Sequence, residues 1–300
     1  MTRENLAEQS EMARVARASL PAKNYLPIAD LAKMPKFFDW VECGVGDQKF
    51  LMYLAGADDG VALKFFWNGQ YEGFTLALWS YLASKTEKIN IDVGAHTGAY
   101  TLSAKAAGAA NVLCFEPHFA NFSRLMMNLR ANGFSLGHAY MLAVGERDGW
   151  NTFNLPTNLD YLSTGGTLLP KPGGNKFPVQ TVRLDRIITE SQHKNVGVMK
   201  IDVEGFEVSV LRGAERIVNE SRPVIFFECI DEAIGSAVEG FLRAYGYNFY
   251  LLDDANGSLS KIYKVQPEFD RDGKLCMSKL NRLAAPVAFD ESLGEFYASF

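Results

Sequence analysis

KINIDVGAHTGAYTLSAKAAGAANVLCFE, residues 88–116, decides the fold. Its apolar run from Ile89 to Val93 has the length and β-branched content of a buried strand. The segment Asp92-Val93-Gly94-Ala95-His96-Thr97-Gly98 then turns the chain, and Tyr100 to Ala107 has helical spacing. A second apolar run, Val112 to Glu116, completes a strand–helix–strand unit of the kind that builds parallel sheets covered by helices on both faces. Downstream, Ala120 to Ala131 predicts a helix stopped by Asn132-Gly133. Ala139 to Val144, Val196 to Asp202 and Val224 to Cys229 predict further strands. Tyr247 to Leu252 and Lys261 to Val265, joined through Asp254, Asn256 and Gly257, predict a hairpin that closes the sheet with an antiparallel strand.

Upstream the texture differs. Residues 4–19 predict a helix rich in Ala, Glu and Arg, and Pro21, Pro27 and Pro35 then break the chain. Lys49 to Ala55 and Val61 to Trp67 flank Asp58, Asp59 and Gly60, which predicts a β-hairpin, and Tyr71 to Ser84 predicts a helix. Residues 1–70 are thus expected to form a small N-terminal α/β-hairpin extension, and residues 71–300 one α/β domain. The stretch from Pro170 to Pro178 predicts a surface loop that splits a long insertion beginning at Asn151.

Composition narrows the function. At 48% hydrophobic and 22% charged residues, the chain has the balance of a soluble globular protein. A net charge of −5 lacks the basic excess that nucleic acid demands. No run of about eighteen apolar residues predicts a membrane span, and the charged N-terminus has no apolar signal core. Cys43, Cys114, Cys229 and Cys276 lack CxxC spacing, so free thiols in a reducing compartment, the cytoplasm, are expected.

In a doubly wound sheet, ligands bind beyond the carboxyl ends of the strands, and the turn from Asp92 to Gly98 is the first such end. Gly94 and Gly98 let backbone approach a ligand where a Cβ would intrude. Glu116 ends the next strand 24 residues after Asp92, where its carboxylate can accept both hydroxyls of a ribose. A dinucleotide fingerprint needs GxGxxG to admit a pyrophosphate, and here His96 stands two residues after Gly94. S-adenosyl-L-methionine has no phosphate, and the Asp92 carboxylate would stabilise its methionine ammonium. The candidate donor contacts are therefore Asp92, Gly94, Ala95, His96, Thr97, Gly98, Glu116 and Pro117. The competing reading is that a glycine turn here only meets the steric needs of an α/β fold.

A second site follows from Lys200-Ile201-Asp202-Val203-Glu204-Gly205. Strand periodicity, if it persists past the apolar run, puts Asp202 and Glu204 on one face, toward the same crevice as Gly94. Glu228 ends the strand after that. Carboxylates at strand mouths are costly to bury without a task, which makes Asp202 and Glu204 the candidate catalytic pair. Two alternatives stand beside this: the acids cap the helix beginning near Glu207, or together with Glu228 they collect a divalent cation. Ser163, Thr164, Gly165 and Gly166 in the insertion are further candidate acceptor contacts, against the simpler reading of a solvated turn.

Taken in order, INIDVGAHTGAYTL (89–102), VLCFEPHFANFSRLMMNL (112–129), VRLD (182–185), MKIDVEGFEVSVLRGA (199–214) and PVIFFE (223–228) resemble the FkbM family of methyltransferases. The resemblance covers about Tyr71 to Asp253. It implies a Rossmann-like class I methyltransferase fold, S-adenosyl-L-methionine as donor, and O-methylation of a sugar, glycoconjugate or secondary-metabolite hydroxyl. It also implies that Asp92, Gly94 and Gly98 belong to the donor turn, Glu116 to the ribose, and Asp202 and Glu204 to the second acidic motif. Two rivals remain from the residues themselves. A nicotinamide-dependent sugar oxidoreductase or epimerase would share Glu116 but lacks its GxGxxG glycines here; a non-catalytic adenosyl-binding module would not need the second acidic motif.

Overall fold

In the strands at 112–115 and 224–228 neighbouring residues are apolar on both sides, so the sheet has two faces to bury. Ile225 and Phe227 pack with Ile91, Met199 and Val210 on one face. Phe226 packs with Trp79, Leu102 and Leu125 on the other. The computed structural model describes the chain except residues 1–2, 23–25, 32, 157–161, 163–164, 287–288, 290–295 and 297–300.

Helices α1 (Arg3–Ala18) and α2 (Ile28–Leu31) precede strands β1 (Phe37–Val45) and β2 (Gln48–Gly56), and α3 (Gly60–Asn68) and α4 (Gly73–Ser84) lead into the sheet. Then come β3 (Ile89–Val93), α5 (Ala99–Ala106), β4 (Val112–Phe115), α6 (Phe119–Ala131) and β5 (Ala139–Tyr140). A small inserted sheet consists of β6 (Ala143–Val144), β7 (Gly149–Leu155) and β8 (Asn175–Val182). After α7 (Leu184–Ile187) the chain continues through β9 (Val196–Ile201), α8 (Glu207–Arg212), α9 (Glu215–Glu220) and β10 (Val224–Glu228). Helix α10 (Glu232–Ala244), β11 (Tyr247–Asp253), β12 (Ser258–Ile262) and β13 (Asn281–Pro286) follow.

The main sheet runs β12-β11-β13-β10-β9-β3-β4-β5. Strands β5, β4, β3, β9 and β10 are parallel. Strand β13 lies antiparallel to both β10 and β11, and β12 pairs antiparallel with β11. This is the Rossmann-like class I methyltransferase arrangement, a mostly parallel sheet with antiparallel strands on its C-terminal side. Among the described residues, no helix is long and apolar enough to cross a membrane.

Three expectations need correction. Val61 to Trp67 is helix, not the second arm of a hairpin; β1 pairs with β2 instead, turning at Gly46 and Asp47. The Asp59 carboxylate accepts from the amides of Val61 and Ala62 at 2.9 and 3.1 Å and starts α3, and Gly69 (φ 72°) ends it. Val61, Ala62, Leu63, Phe65 and Trp67 are all buried, so no polar face marks the helical period. Ala139 to Val144 is not one strand: β5 ends the main sheet, and β6 passes into the inserted one. Finally, Pro170 to Pro178 is not loop throughout, because β8 begins at Asn175; the C-terminal hairpin of β11 and β12 does end the sheet, with β13 threaded between β10 and β11.

The N-terminal hairpin is fastened to the sheet's helical layer. Val41, Phe50, Met52 and Leu54 share the apolar cluster of Trp79 and Leu102. The amides of Leu51 and Tyr53 donate to the side chains of Asn132 and Asn128 on α6, at 2.8 and 3.0 Å. Asn128 Nδ2 in turn donates to the Thr97 carbonyl at 2.8 Å, so β2 supports the turn that follows β3.

Candidate active site

The carboxyl ends of β3, β4, β9 and β10 open into a cavity of about 580 Å³, within the usual size of a small-molecule site. Residues from α3 and the α3–α4 turn, Val61, Lys64, Tyr71 and Glu72, form its opposite wall.

On the β3–β4 side, the amides of Gly94 and Ala95 both donate to the Phe115 carbonyl at 2.9 Å, folding the turn back over β4. Gly94 has φ 84°, and a Cβ there would lie 1.8 Å from the Asp202 carbonyl oxygen; at Gly98 (φ 105°) it would lie 2.6 Å from Leu125 Cδ1. The glycines are therefore required by the close approach of the turn after β3 to the chain leaving β9 and by the packing of α5 on α6, before any ligand arrives. Of the predicted donor contacts, Gly94, His96, Glu116 and Pro117 line the cavity. Asp92, Ala95, Thr97 and Gly98 stand behind that wall. Asp92 is 1% exposed, and its Oδ2 accepts the Thr101 hydroxyl at 2.6 Å. Burial raises its carboxyl to about 6, with the Thr101 hydrogen bond opposing. Asp92 thus braces the first turns of α5 from inside, and the methionine ammonium expected beside it needs another partner.

Glu116 is 4% exposed and held on both oxygens: Oε2 accepts the His96 amide and Oε1 the His118 amide, each at 2.9 Å. Burial raises its pKa, and the charge of His96 and these amides oppose the rise. A carboxylate offers about four acceptor positions, so this one is oriented without being saturated. With the apolar Phe115 and Leu142 beside it, the pocket fits an adenosyl group.

On the β9–β10 side the strand geometry does not persist beyond Ile201. The chain turns through Val203 to Gly205, with Glu204 at φ 53° and Gly205 at φ 99°. Asp202, Glu204 and Glu228 nevertheless all line the same cavity. Burial, then the neighbouring Asp202, raises Glu204 to about 7, and the same two causes hold Glu228 well above the ordinary carboxylate range. Bracing of the turn falls to a different acid. Glu207 Oε1 accepts the amides of Gly205 and Val203 at 3.1 and 3.4 Å, which leaves Asp202 and Glu204 free of the capping role.

Lys200 stands inside the apolar run of β9, where no sequence pattern marks it. It is 1% exposed, with Nζ 2.9 Å from Asp202 Oδ2 and 4.6 Å from the Tyr100 ring centroid. Burial alone would lower its pKa, but Asp202, Glu228 and Glu72 together hold it above the ordinary lysine range. The cation among these acids is thus an ammonium from the strand itself. No group of three His, Cys, Asp or Glu side chains among the described residues is arranged to hold a metal ion. Of the insertion candidates, Gly166 lines the cavity, while Ser163 and Thr164 lie outside the described residues.

The sheet order, the turn after β3 and the acid ending β4 define an S-adenosylmethionine-dependent methyltransferase. Residues 92–249 match the methyltransferase FkbM domain, and the chain belongs to that family, with S-adenosyl-L-methionine as its cofactor. It is 27% identical over 143 residues to Methyltransferase 1 of Beauveria bassiana, a match taking in 42% of this chain and 57% of that protein. Among solved structures, the methyltransferase FkbM of Methylobacillus flagellatus is 17% identical, with a TM-score of 0.39 over 75% of this chain and 53% of that one. A SAM-dependent methyltransferase of Agrobacterium tumefaciens is 11% identical, with a TM-score of 0.40 over 84% of this chain and 72% of that one.

Proposed function

We propose that this chain methylates a hydroxyl of a sugar, glycoconjugate or secondary metabolite, with Asp202 and Glu204 as its catalytic pair. The observation that carries this is Glu204, a cavity-lining carboxyl raised to about 7 and standing beside Asp202. A group with that pKa is a competent proton acceptor near neutral pH.

When bound, the donor supplies a methyl carbon attached to a sulfonium sulfur. The acceptor oxygen bonds to that carbon as the carbon–sulfur bond breaks, and the bond's electron pair stays on sulfur. Asp202, anchored through Oδ2 by Lys200, keeps its other oxygen to hold the hydroxyl in line, and Glu204 takes the proton. Gly94, His96, Glu116 and Pro117 hold the donor, with Asp92, Ala95, Thr97 and Gly98 shaping their turn. Residues 1–70 act as the extension that closes the acceptor side, through Val61 and Leu63, over a catalytic domain of residues 71–300. Four free cysteines, three of them buried, are in keeping with work in the cytoplasm, and the net charge of −5 disfavours nucleic acid as acceptor.

The test is a mass-spectrometric screen of sugar nucleotides and glycan fragments with labelled donor. The expected product is an O-methyl ether, formed equally with and without a chelator. Methylation confined to nitrogen or carbon would overturn the hydroxyl reading, and loss of turnover with chelator, restored by magnesium, would overturn the metal-free one.

A further inference from the structure

Among the described residues, four that are not glycine have positive φ: Glu72, His96, Glu204 and Arg222. The first three line the one cavity. Left-handed backbone is unfavourable for any residue with a Cβ and persists where its surroundings hold it, commonly at binding sites. His96 belongs to the donor turn and Glu204 to the acceptor side. Glu72, outside the span matched to the family, has been given no task.

Glu72 stands just before α4, and its Oε2 accepts the hydroxyl of Tyr100, two residues beyond Gly98 in the first turn of α5. Trp79 Nε1 donates to the Tyr100 carbonyl at 2.8 Å, which ties α4 to α5. The Tyr71 phenol faces the same carboxylate, and its pKa is raised well above the ordinary value by burial and then by Glu72. Over the Tyr71 ring, Lys64 also lines the cavity, with Nζ 5.0 Å from the ring centroid. Neither Lys64 nor Glu72 is in an ion pair among the described residues. A carboxylate and an ammonium thus flank one aromatic ring, in one cavity, without neutralising each other. Glu116 lies on the β4 side of the donor turn and Glu72 on its α5 side, while Asp92 is sealed behind it.

We propose that Glu72 and Lys64 form the subsite for the amino-acid end of the donor, Glu72 taking its ammonium and Lys64 its carboxylate. The inference rests on the donor site described above and is independent of the acceptor. Charge complementarity carries it: a zwitterion needs one partner of each sign, and each contact is charge-assisted. Glu72 keeps acceptor positions beyond the one used by Tyr100.

Calorimetry with three ligands tests it. S-adenosylhomocysteine has both charged groups, decarboxylated S-adenosylmethionine lacks the carboxylate, and methylthioadenosine lacks the whole amino-acid portion. Glu72→Gln is expected to weaken S-adenosylhomocysteine binding about tenfold or more and leave methylthioadenosine unchanged. Lys64→Met is expected to weaken S-adenosylhomocysteine binding and leave the decarboxylated compound unchanged. Unchanged S-adenosylhomocysteine affinity in both variants, or an equal loss for methylthioadenosine, overturns the subsite. If Glu72→Gln fails to fold, Glu72→Asp, which keeps the charge but draws it back by one methylene, must show the same selective loss, and its absence overturns the proposal. Failure of the unmutated protein to bind S-adenosylhomocysteine would instead overturn the donor site itself.

Discussion

Replacing Glu204 by Gln keeps the shape of the side chain and removes one titratable proton from the cavity rim. In the folded protein, burial and then Asp202 raise that carboxyl from 4.5 to about 7. Below the lower value the group is protonated in folded and unfolded chains alike, and full stability is present. As pH rises toward the upper value, the unfolded chain gives up its proton first, so stability falls across that window and levels off above it. At about 1.4 kcal/mol per pH unit, the loss amounts to roughly 3 kcal/mol by about pH 8. Glu204→Gln does not incur it. The variant should match the parent protein near pH 4 and melt higher near pH 8, by roughly 6 °C at about 2 °C per kcal/mol. Its methyl transfer should fall about 100-fold or more, the usual contribution of a positioned base, while donor affinity stays unchanged. The parent enzyme's rate should drop about tenfold for each pH unit below about 7. Thermal melts at the two pH values and steady-state rates across them are the assays. Equal melting temperatures for the variant and the parent at both pH values would refute the raised pKa, and retained turnover would remove Glu204 from the chemistry.

Glu116→Ala should weaken S-adenosylhomocysteine binding at least about tenfold by calorimetry, since it removes charge-assisted bonds to the ribose and leaves the His96 and His118 amides unpaired; unchanged affinity would take Glu116 out of the site. Gly94→Ala should lose cooperative melting, because its Cβ would lie 1.8 Å from the Asp202 carbonyl oxygen, on top of about 1–3 kcal/mol of backbone strain. A parent-like melt would show that the turn after β3 and the end of β9 do not approach as closely as described.

The parts of this molecule that could be read from sequence are those whose local chemistry agrees with their final surroundings. Helix α5 begins at Ala99 and α6 at Phe119, each within one residue of expectation, because glycine or proline sets them off from buried strands. Where burial is complete, the pattern carries less information. Val61 to Trp67 is apolar apart from Lys64 and reads as a strand, although Asp59 is a helix cap. Strand β13 contains Asn281 and Arg282, both buried, and so has no strand-like signature at all. The site shows the same division. Glu116 and Asp202 follow strand ends and stand out, whereas Glu72 sits in an unremarkable turn and reaches the cavity only because α4 packs on α5. Lys200, within an apolar run, shows its importance only once Asp202 and Tyr100 close around it.

The insertion of β13 between β10 and β11 sets an order of events during synthesis. Residues 224–228 and 247–253 leave the ribosome well before residues 281–286, and in the finished sheet neither strand pairs with the other, since the gap between them belongs to β13. Until then the nascent protein carries two open strand edges with Phe226, Phe227, Phe249 and Tyr250 beside them, the kind of surface that recruits chaperones or other chains. The middle of the sheet is therefore finished last, and a ribosome stalled before residue 281 would display both edges at once.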